Sequence, residues 1–313
     1  NIPVWYDTRL VDLIQDPDTL EVFGAWVEQN GVRKAIRAAR GVVMAVGGFE
    51  ANPQMQRDYY GLSGVVPLGT PYNTGDGVKI MQKAGAELWH LRNQGQSGGI
   101  WPGIQVPGQE TAYHRNFMLP AFSWFDIDQT GRRFYNETDG LQMTHYKEKK
   151  YGRFVDVPLT FAQPVHMIFD DATRTAGKLV MEILAWSAVV VNEGWSDDNI
   201  EEVASGLIKK ADTPAELAKL IGMDPDVLEA EVARYNKACE TGVDEVTGRS
   251  ADTLIPLSAP YYAVLITPTI VCTGGGAKRN MDGQVFDQQG GIIPRLFEAG
   301  ELGSIFSDLY QNG

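Results

Sequence analysis

The 313-residue sequence predicts an α/β fold, mixed α+β in detail, made of a β-rich domain that is split in the chain and a second domain inserted into it. Three observations predict it. Gly41-Val-Val-Met-Ala-Val46 is an unbroken apolar run, the pattern of a strand buried on both faces. Short strand-like segments gather at both ends of the chain. Residues 196–240 between them carry helical periodicity and capping signals. The split domain is expected at 1–88 and 264–313 and the inserted one at 89–263.

Taken in order, Val4 to Thr8 and Val11 to Ile14 are apolar-rich and short. Glu21 to Glu28 and Val32 to Ala38 flank Asn30-Gly31, a strong hairpin signal. The apolar run ends at Gly47-Gly48, after which Asn52 caps a helix with Pro53 at its first position. Gly75-Asp76-Gly77 opens a second helix, Val78 to Ala84, ended by Gly85 and followed by a strand over 86–91. From Gln94 to Gln109 the chain is rich in Gly, Gln and Pro, which marks a boundary. Trp124 to Asp128 and Arg133 to Phe134 are expected to pair as a hairpin around Gln129-Thr-Gly-Arg132. Thr213-Pro214-Ala215-Glu216 is a capping box, and Asp224-Pro225 starts a helix whose Leu228, Val232, Tyr235 and Cys239 share a face. Strand patterns return at 261–267, 269–272 and 296–299.

The net charge is −13, and between Ser196 and Asp252 there are 14 acidic against 6 basic residues. That is a solvated helical face rather than a binding site. A nucleic-acid partner is not expected, since it would require a basic stripe. No run of about 18 apolar residues predicts a membrane span. Two cysteines, Cys239 and Cys272, build no disulfide framework. The four histidines, His90, His114, His145 and His166, lack metal-ligand spacing, so no metal is expected.

Four places are Gly-rich: Gly47-Gly48, Gly75-Asp76-Gly77, Gly274-Gly275-Gly276 and Gly300-Glu301-Leu302-Gly303. Glycines after buried strands let backbone approach a ligand, and acids there can accept from sugar hydroxyls, which makes Asp76 and Glu301 candidates for a ribityl or ribose contact.

The ordered set is more specific. Val42-Val-Met-Ala-Val-Gly-Gly-Phe-Glu-Ala-Asn52 resembles the "VVLATGGF" strand and turn of the fumarate reductase and succinate dehydrogenase flavoprotein superfamily. Asn73-Thr-Gly-Asp-Gly-Val78 with Ala84-Gly-Ala86 is similar to its "TGDG…GA" segment. Gly131-Arg-Arg-Phe-Tyr-Asn-Glu137 resembles its "GkRFvNE" hairpin, and Arg234-Tyr-Asn236 with Gly242 its "RYN…G" helix. Pro268 to Gly276 resembles the strand that returns to the flavin. Pro294-Arg-Leu-Phe-Glu-Ala-Gly-Glu-Leu-Gly-Ser304 resembles "PgLyAaGE". The motifs run in one order over nearly the whole chain.

The resemblance implies a discontinuous Rossmann-like FAD-binding domain with an inserted α+β capping domain that handles substrate. It implies FAD as cofactor, with Asp76 and Glu301 in contact with it and Gly47 and Gly48 close by. Relative to the family, the sequence would lack the amino-terminal strand, Gly-rich loop and helix that hold the pyrophosphate, and a Gly-Asn segment after Gly313. This chain by itself is therefore expected to bind FAD weakly. Flavin N5 would give or take a hydride at carbon while a protein group handles the proton.

Fumarate reductases place His and Arg around a dicarboxylate. The matching positions here fall at about Ser97, within 139–142 where there is no Arg, at Cys272, and at Gln311 or a neighbour. Burying a carboxylate without a cation costs several kcal/mol, so a neutral, larger, apolar substrate such as an enone or steroid-like ring is expected. Aromatic groups are abundant instead: Trp89, Trp101, Trp124, Tyr146 and Tyr310. His145 and Tyr146 follow the 131–137 segment and are placed, with Ser97, Cys272 and Gln311, in the substrate pocket. Tyr310-Gln-Asn-Gly313 resembles the "Y-x-S-G" turn of 4-ene-type ketosteroid dehydrogenases, which implies a catalytic Tyr310. Two rival readings stand: a reductase of a small unsaturated acid using Arg115 or Arg153, and a catalytically silent fragment. The partners implied are a small-molecule substrate and a separate electron donor or acceptor that the sequence does not name.

Overall fold

The computed structural model describes residues 2–62, 64–92, 101–116, 119–138, 163–181 and 195–305, with the backbone of the hairpin 147–150 and 153–156. The chain divides into two compact units. One holds residues 1–61, 72–98 and 272–313, the other 62–71 and 99–271.

The first unit begins with an antiparallel sheet of Thr8–Gln15, Val22–Gln29 and Val32–Arg37. Asn30 and Gly31 turn the chain with φ of 51° and 74°, so Gln29 faces Val32 as the Asn-Gly pair predicts. A second sheet centres on Ile292–Glu298, antiparallel to Gln284–Phe286 and parallel to Val42–Met44. The helix Asp76–Lys83 presses Val78, Ile80 and Met81 into one core with Met44, Phe49, Leu296 and Leu302.

The apolar run 41–46 departs from expectation. Met44 is buried, but Val43 is 62% exposed, and Val42–Met44 is an edge strand. The outer face opens on a hollow of about 830 Å³ bordered by Val43, Trp89, Phe286, Phe297 and Glu298. Composition shows that a strand is apolar on both sides without showing what covers each side.

The second unit is built on Tyr261–Ile270. This strand pairs antiparallel with Val165–Asp170, Trp101–Ile104 and Lys209–Ala211, and parallel with Val66–Pro67. The last pairing ties residues 62–71 to this unit. Side chains alternate across the sheet with period two. Val165, Met167, Phe169, Val264 and Ile266 enter one core. Ile168 and Ala263 enter the other, beneath the helices Pro214–Ile221 and Pro225–Thr241. Leu217, Leu228, Val232 and Tyr235 supply the helical side of that core, each buried apolar side chain contributing roughly 1.5–3 kcal/mol. Both helices start as their sequences predict, on the side chains of Thr213 and Asp224, and end at Gly222 and Gly242 in the left-handed region. Cys239 packs against this core.

The hairpin expected around 129–132 forms only its turn. Gly131 donates to the Asp128 carbonyl at 2.9 Å, but Trp124–Ile127 pairs with Val165–Asp170 instead of with residues 133–134. The reason is electrostatic. Arg133 is buried and bonded to Asp244 at 2.8 Å, Thr247 at 2.7 Å and Glu137 at 3.3 Å. Arg249, also buried, donates to the carbonyls of Trp124 at 2.5 Å and Phe122 at 2.8 Å. The segment after Arg132 is thus held by a buried ionic network rather than by a ladder. No helix among the described residues is long and apolar enough to cross a membrane.

Candidate functional site

The four Gly-rich segments, separated by up to 250 residues, meet in the first unit. Gly48 sits at the centre. Its carbonyl accepts the Gly75 N–H at 3.1 Å, and Phe49 next to it donates N–H to Thr273 Oγ1 at 2.9 Å. Thr273 in turn donates its amide to Glu301 at 2.5 Å and its hydroxyl at 3.2 Å. Gly303 donates to the Gly275 carbonyl at 3.0 Å, and Gly274 donates to the Tyr60 hydroxyl at 3.0 Å. Asn52, which caps the helix start at Pro53, also donates its amide to the Thr74 carbonyl at 2.8 Å.

Glycine is required at this junction. A Cβ on Gly48 would overlap Thr273 Oγ1 and the Glu301 carboxylate, and Gly47 has φ of 72° with its would-be Cβ against Asn73. The closeness of backbone to carboxylate comes from that absence of side chains.

The sequence-predicted residues fall as follows. Gly47, Gly48 and Glu301 are brought together. Asp76 begins the helix Asp76–Lys83 directly after Gly75, whose N–H meets the Gly48 carbonyl, and its carboxylate is ion-paired to Arg9 at 2.7 Å. Cys272 precedes Thr273; burial, then Glu301 and Glu50, push its thiol well above the ordinary range, which disfavours a thiolate nucleophile. Ser97, His145, Tyr146, Tyr310 and Gln311 lie outside the described residues. Arg115, considered as a cation for a carboxylate substrate, is buried and donates two bonds to Asp126, at 2.7 and 2.6 Å, with Tyr135 completing the cluster. Its charge is already neutralised, so that use of it is corrected. Trp124 packs in the core of the second unit between Arg115 and Arg249.

Sequence reasoning missed Glu50, Asn73, Thr273 and Tyr60. Glu50 is buried two residues after Gly48, and Asn73 donates to it at 2.5 Å. Burial first, and the neighbouring Glu301 second, raise the Glu50 carboxyl to about 9, and Glu301 is raised chiefly by burial. The only sequence signal for Glu50 was its place inside the Gly47–Asn52 motif.

Glu298 is a second buried acid, 2% exposed, with neither carboxylate oxygen in a well-formed hydrogen bond. Burial pushes it up to about 8 against an ordinary 4.5. A raised acid binds its proton more tightly in the folded state. Its stabilising contribution is therefore full below pH 4.5 and is lost as pH rises to about 8. Glu298→Gln should flatten the pH dependence of stability across this window by up to about 1.4 kcal/mol per pH unit. Urea unfolding of both proteins at pH 5 and pH 8 checks it; parallel curves would show that Glu298 does not titrate there.

The donor set tests what the cradle could hold. It presents the Glu301 carboxylate as an acceptor beside a close-approach backbone. Hydroxyl groups of a sugar or polyol chain fit such an acceptor, whereas a diphosphate placed against the Glu301 carboxylate would be repelled. The described residues thus fit the ribityl or ribose part of FAD.

Comparison with known proteins agrees with that chemistry. The whole chain, residues 1–313, matches the model of a family described as FAD binding domain. It is 28% identical to the NADH:acrylate oxidoreductase of Vibrio harveyi over 95% of this chain and 27% of that protein. It is 30% identical to the digoxin reductase of Eggerthella lenta over 84% of this chain and 47% of that one. It is 26% identical to a 3-oxosteroid 1-dehydrogenase of Mycobacterium tuberculosis over 96% and 54%. The chain thus spans about half the length of these relatives or less. Among solved structures, a flavocytochrome c3 fumarate reductase in an open conformation superposes with a TM-score of 0.67 at 25% identity, over 95% of this chain and 46% of the other. A 3-ketosteroid delta1-dehydrogenase from Sterolibacterium denitrificans superposes with a TM-score of 0.72 at 24% identity, over 97% and 55%. The latter likeness is one of fold.

Proposed function

This chain belongs to the FAD binding domain family, and on that premise we propose that the whole protein is an FAD-dependent oxidoreductase. It exchanges a hydride at an activated C=C bond, or its saturated counterpart, of a neutral enone or steroid-like substrate. The observation that carries the reading is the acceptor-lined junction of four Gly-rich segments around Gly48 and Glu301.

In this reading residues 1–88 and 264–313 form the Rossmann-like FAD-binding domain, and 89–263 the capping domain that handles substrate. A division of the chain into two compact units supports a split of this kind, but with other boundaries: 62–71 and 264–271 pack in the second unit and 89–98 in the first. Glu301 and Asp76 accept hydroxyl hydrogens of the cofactor, and Gly47 and Gly48 let the backbone come close. FAD, when bound, supplies hydride exchange at carbon. Tyr310 supplies a proton or polarises the substrate carbonyl. Ser97, His145, Tyr146, Cys272 and Gln311 line the substrate pocket.

The relative that acts on acrylate favours a second reading, a reductase of a small unsaturated acid. The engagement of Arg115 with Asp126 weighs against that residue as the cation, because a small acid needs one that is not already paired; the side chain of Arg153, the other candidate, lies outside the described residues. The test is reoxidation of the reduced full-length protein by a cyclic enone, a 3-oxosteroid, acrylate and fumarate. The enone and the steroid should reoxidise it at least tenfold faster than either acid; the reverse order would establish the second reading.

A further inference from the structure

Two carboxyl groups meet at the centre of the cradle: Glu301 lies against Gly48, and Glu50, two residues on, is held by Asn73, which lies against Gly47. The two acids share a hydrogen bond and act on each other's charge. Ionised carboxylates only accept hydrogen bonds, so this contact requires a proton. The surroundings say which acid carries it. Glu301 Oε1 already receives the Thr273 amide at 2.5 Å and its hydroxyl at 3.2 Å, a pairing suited to a negative charge. Glu50 is 2% exposed; its Oε1 receives only the neutral Asn73 amide, at 2.5 Å, and its Oε2 meets no donor.

Nothing near Glu50 among the described residues offsets a second negative charge. The titratable groups that face it are Glu301, the Cys272 thiol and the Tyr60 phenol. Burial holds the last two neutral, and the Tyr60 oxygen is engaged with the Gly274 amide. No cation among the described residues acts on the pair. Asn73 stands between Glu50 and Gly47, and Glu301 lies where a Cβ on Gly48 would overlap it.

We propose that Glu50 is a positioning residue that keeps a proton and donates it to Glu301, fixing the Glu301 carboxylate as an acceptor for the hydroxyl-bearing chain of FAD. The inference rests on the reading that FAD occupies this cradle. Its consequence is a cofactor affinity that fails in alkali. Losing the Glu50 proton sets two like charges in contact and removes the bond that orients Glu301.

The test uses the full-length protein loaded with FAD. Glu50→Gln mimics the protonated acid, since its amide oxygen still accepts from Asn73 and its N–H still donates to Glu301. The dissociation constant for FAD, read by flavin fluorescence between pH 7 and 10.5, should rise about tenfold per pH unit above about 9 in the parent protein. In Glu50→Gln it should change less than about twofold over the same range. Glu50→Leu, which can donate nothing, should bind FAD more weakly at every pH. An infrared difference spectrum, parent minus Glu50→Gln at pH 7, should show one protonated carboxyl C=O band; Glu298, common to both proteins, cancels. Equal alkaline loss of FAD in parent and Glu50→Gln, or a missing carbonyl band, overturns the proposal. A parent protein that takes up no FAD at any pH overturns the cofactor reading instead, and the carbonyl band still decides where the proton lies.

Discussion

Tyr310→Phe is expected to lower turnover of the full-length enzyme on its best enone by about 10²–10³, with FAD content unchanged. Tyr310 stands in the Gly/Asn-rich stretch Tyr310-Gln-Asn-Gly313, which resembles the catalytic turn of ketosteroid dehydrogenases. A phenol with an ordinary pKa of about 10 is a protonated donor at neutral pH. It can hydrogen-bond a substrate carbonyl as charge builds on it, or deliver the proton to carbon. The Phe variant keeps the ring and removes only the hydroxyl, so it separates chemistry from packing. Steady-state turnover with flavin content measured alongside checks it. A variant within about twofold of the parent would make Tyr310 a packing residue.

Arg133→Met should destabilise the unit of residues 62–71 and 99–271 by about 3–5 kcal/mol, because it strips one cation from a buried network and leaves its acids uncompensated. Asp244 and Glu137 both bond to Arg133, and among the described residues Glu137 then retains only Arg249, at 3.7 Å, as a cationic partner. Burial alone would raise the Asp244 carboxyl, but hydrogen bonds from Arg133 and Thr247 hold it well below its ordinary 3.8. A depressed acid contributes stability that is present above the ordinary value and lost as pH falls through the folded one. The gap between parent and variant should therefore be wide at pH 7 and shrink below pH 4. Arg133→Lys should recover less than half of it, since an ammonium lacks the planar fork that reaches two acids at once. Urea midpoints of the three full-length proteins at pH 7 and pH 3.5 check both statements; an unchanged midpoint in Arg133→Met would mean the network carries no net stability.

What the sequence made legible was mostly local. Asn30-Gly31 reads as a hairpin because both residues tolerate positive φ, and the chain uses them so. Thr213 and Asp224 read as caps because a short side-chain oxygen next to Pro can satisfy the first helical amides, and both do. Gly48 and Glu301 were readable as a pair of motifs, and their contact through Thr273 is found. Glu50 was not readable as a partner, because a carboxyl-to-carboxyl contact across 251 residues depends on packing that no local pattern encodes. The same holds for Arg133, whose sequence context suggested a strand, while Asp244 and Glu137 draw it into the interior. The open face of Val42–Met44 shows the converse. An apolar run records that both faces suit burial, not that both are buried by the residues at hand.

Equilibrium FAD binding to the full-length protein and its Glu301→Ala variant tests the central claim most directly. The account predicts one FAD per chain in the parent and at least about tenfold weaker binding in the variant, as expected from losing a charge-assisted hydrogen bond of roughly 1.5–3 kcal/mol. A Glu301→Ala protein that holds FAD as tightly as the parent would place the cofactor elsewhere and contradict it.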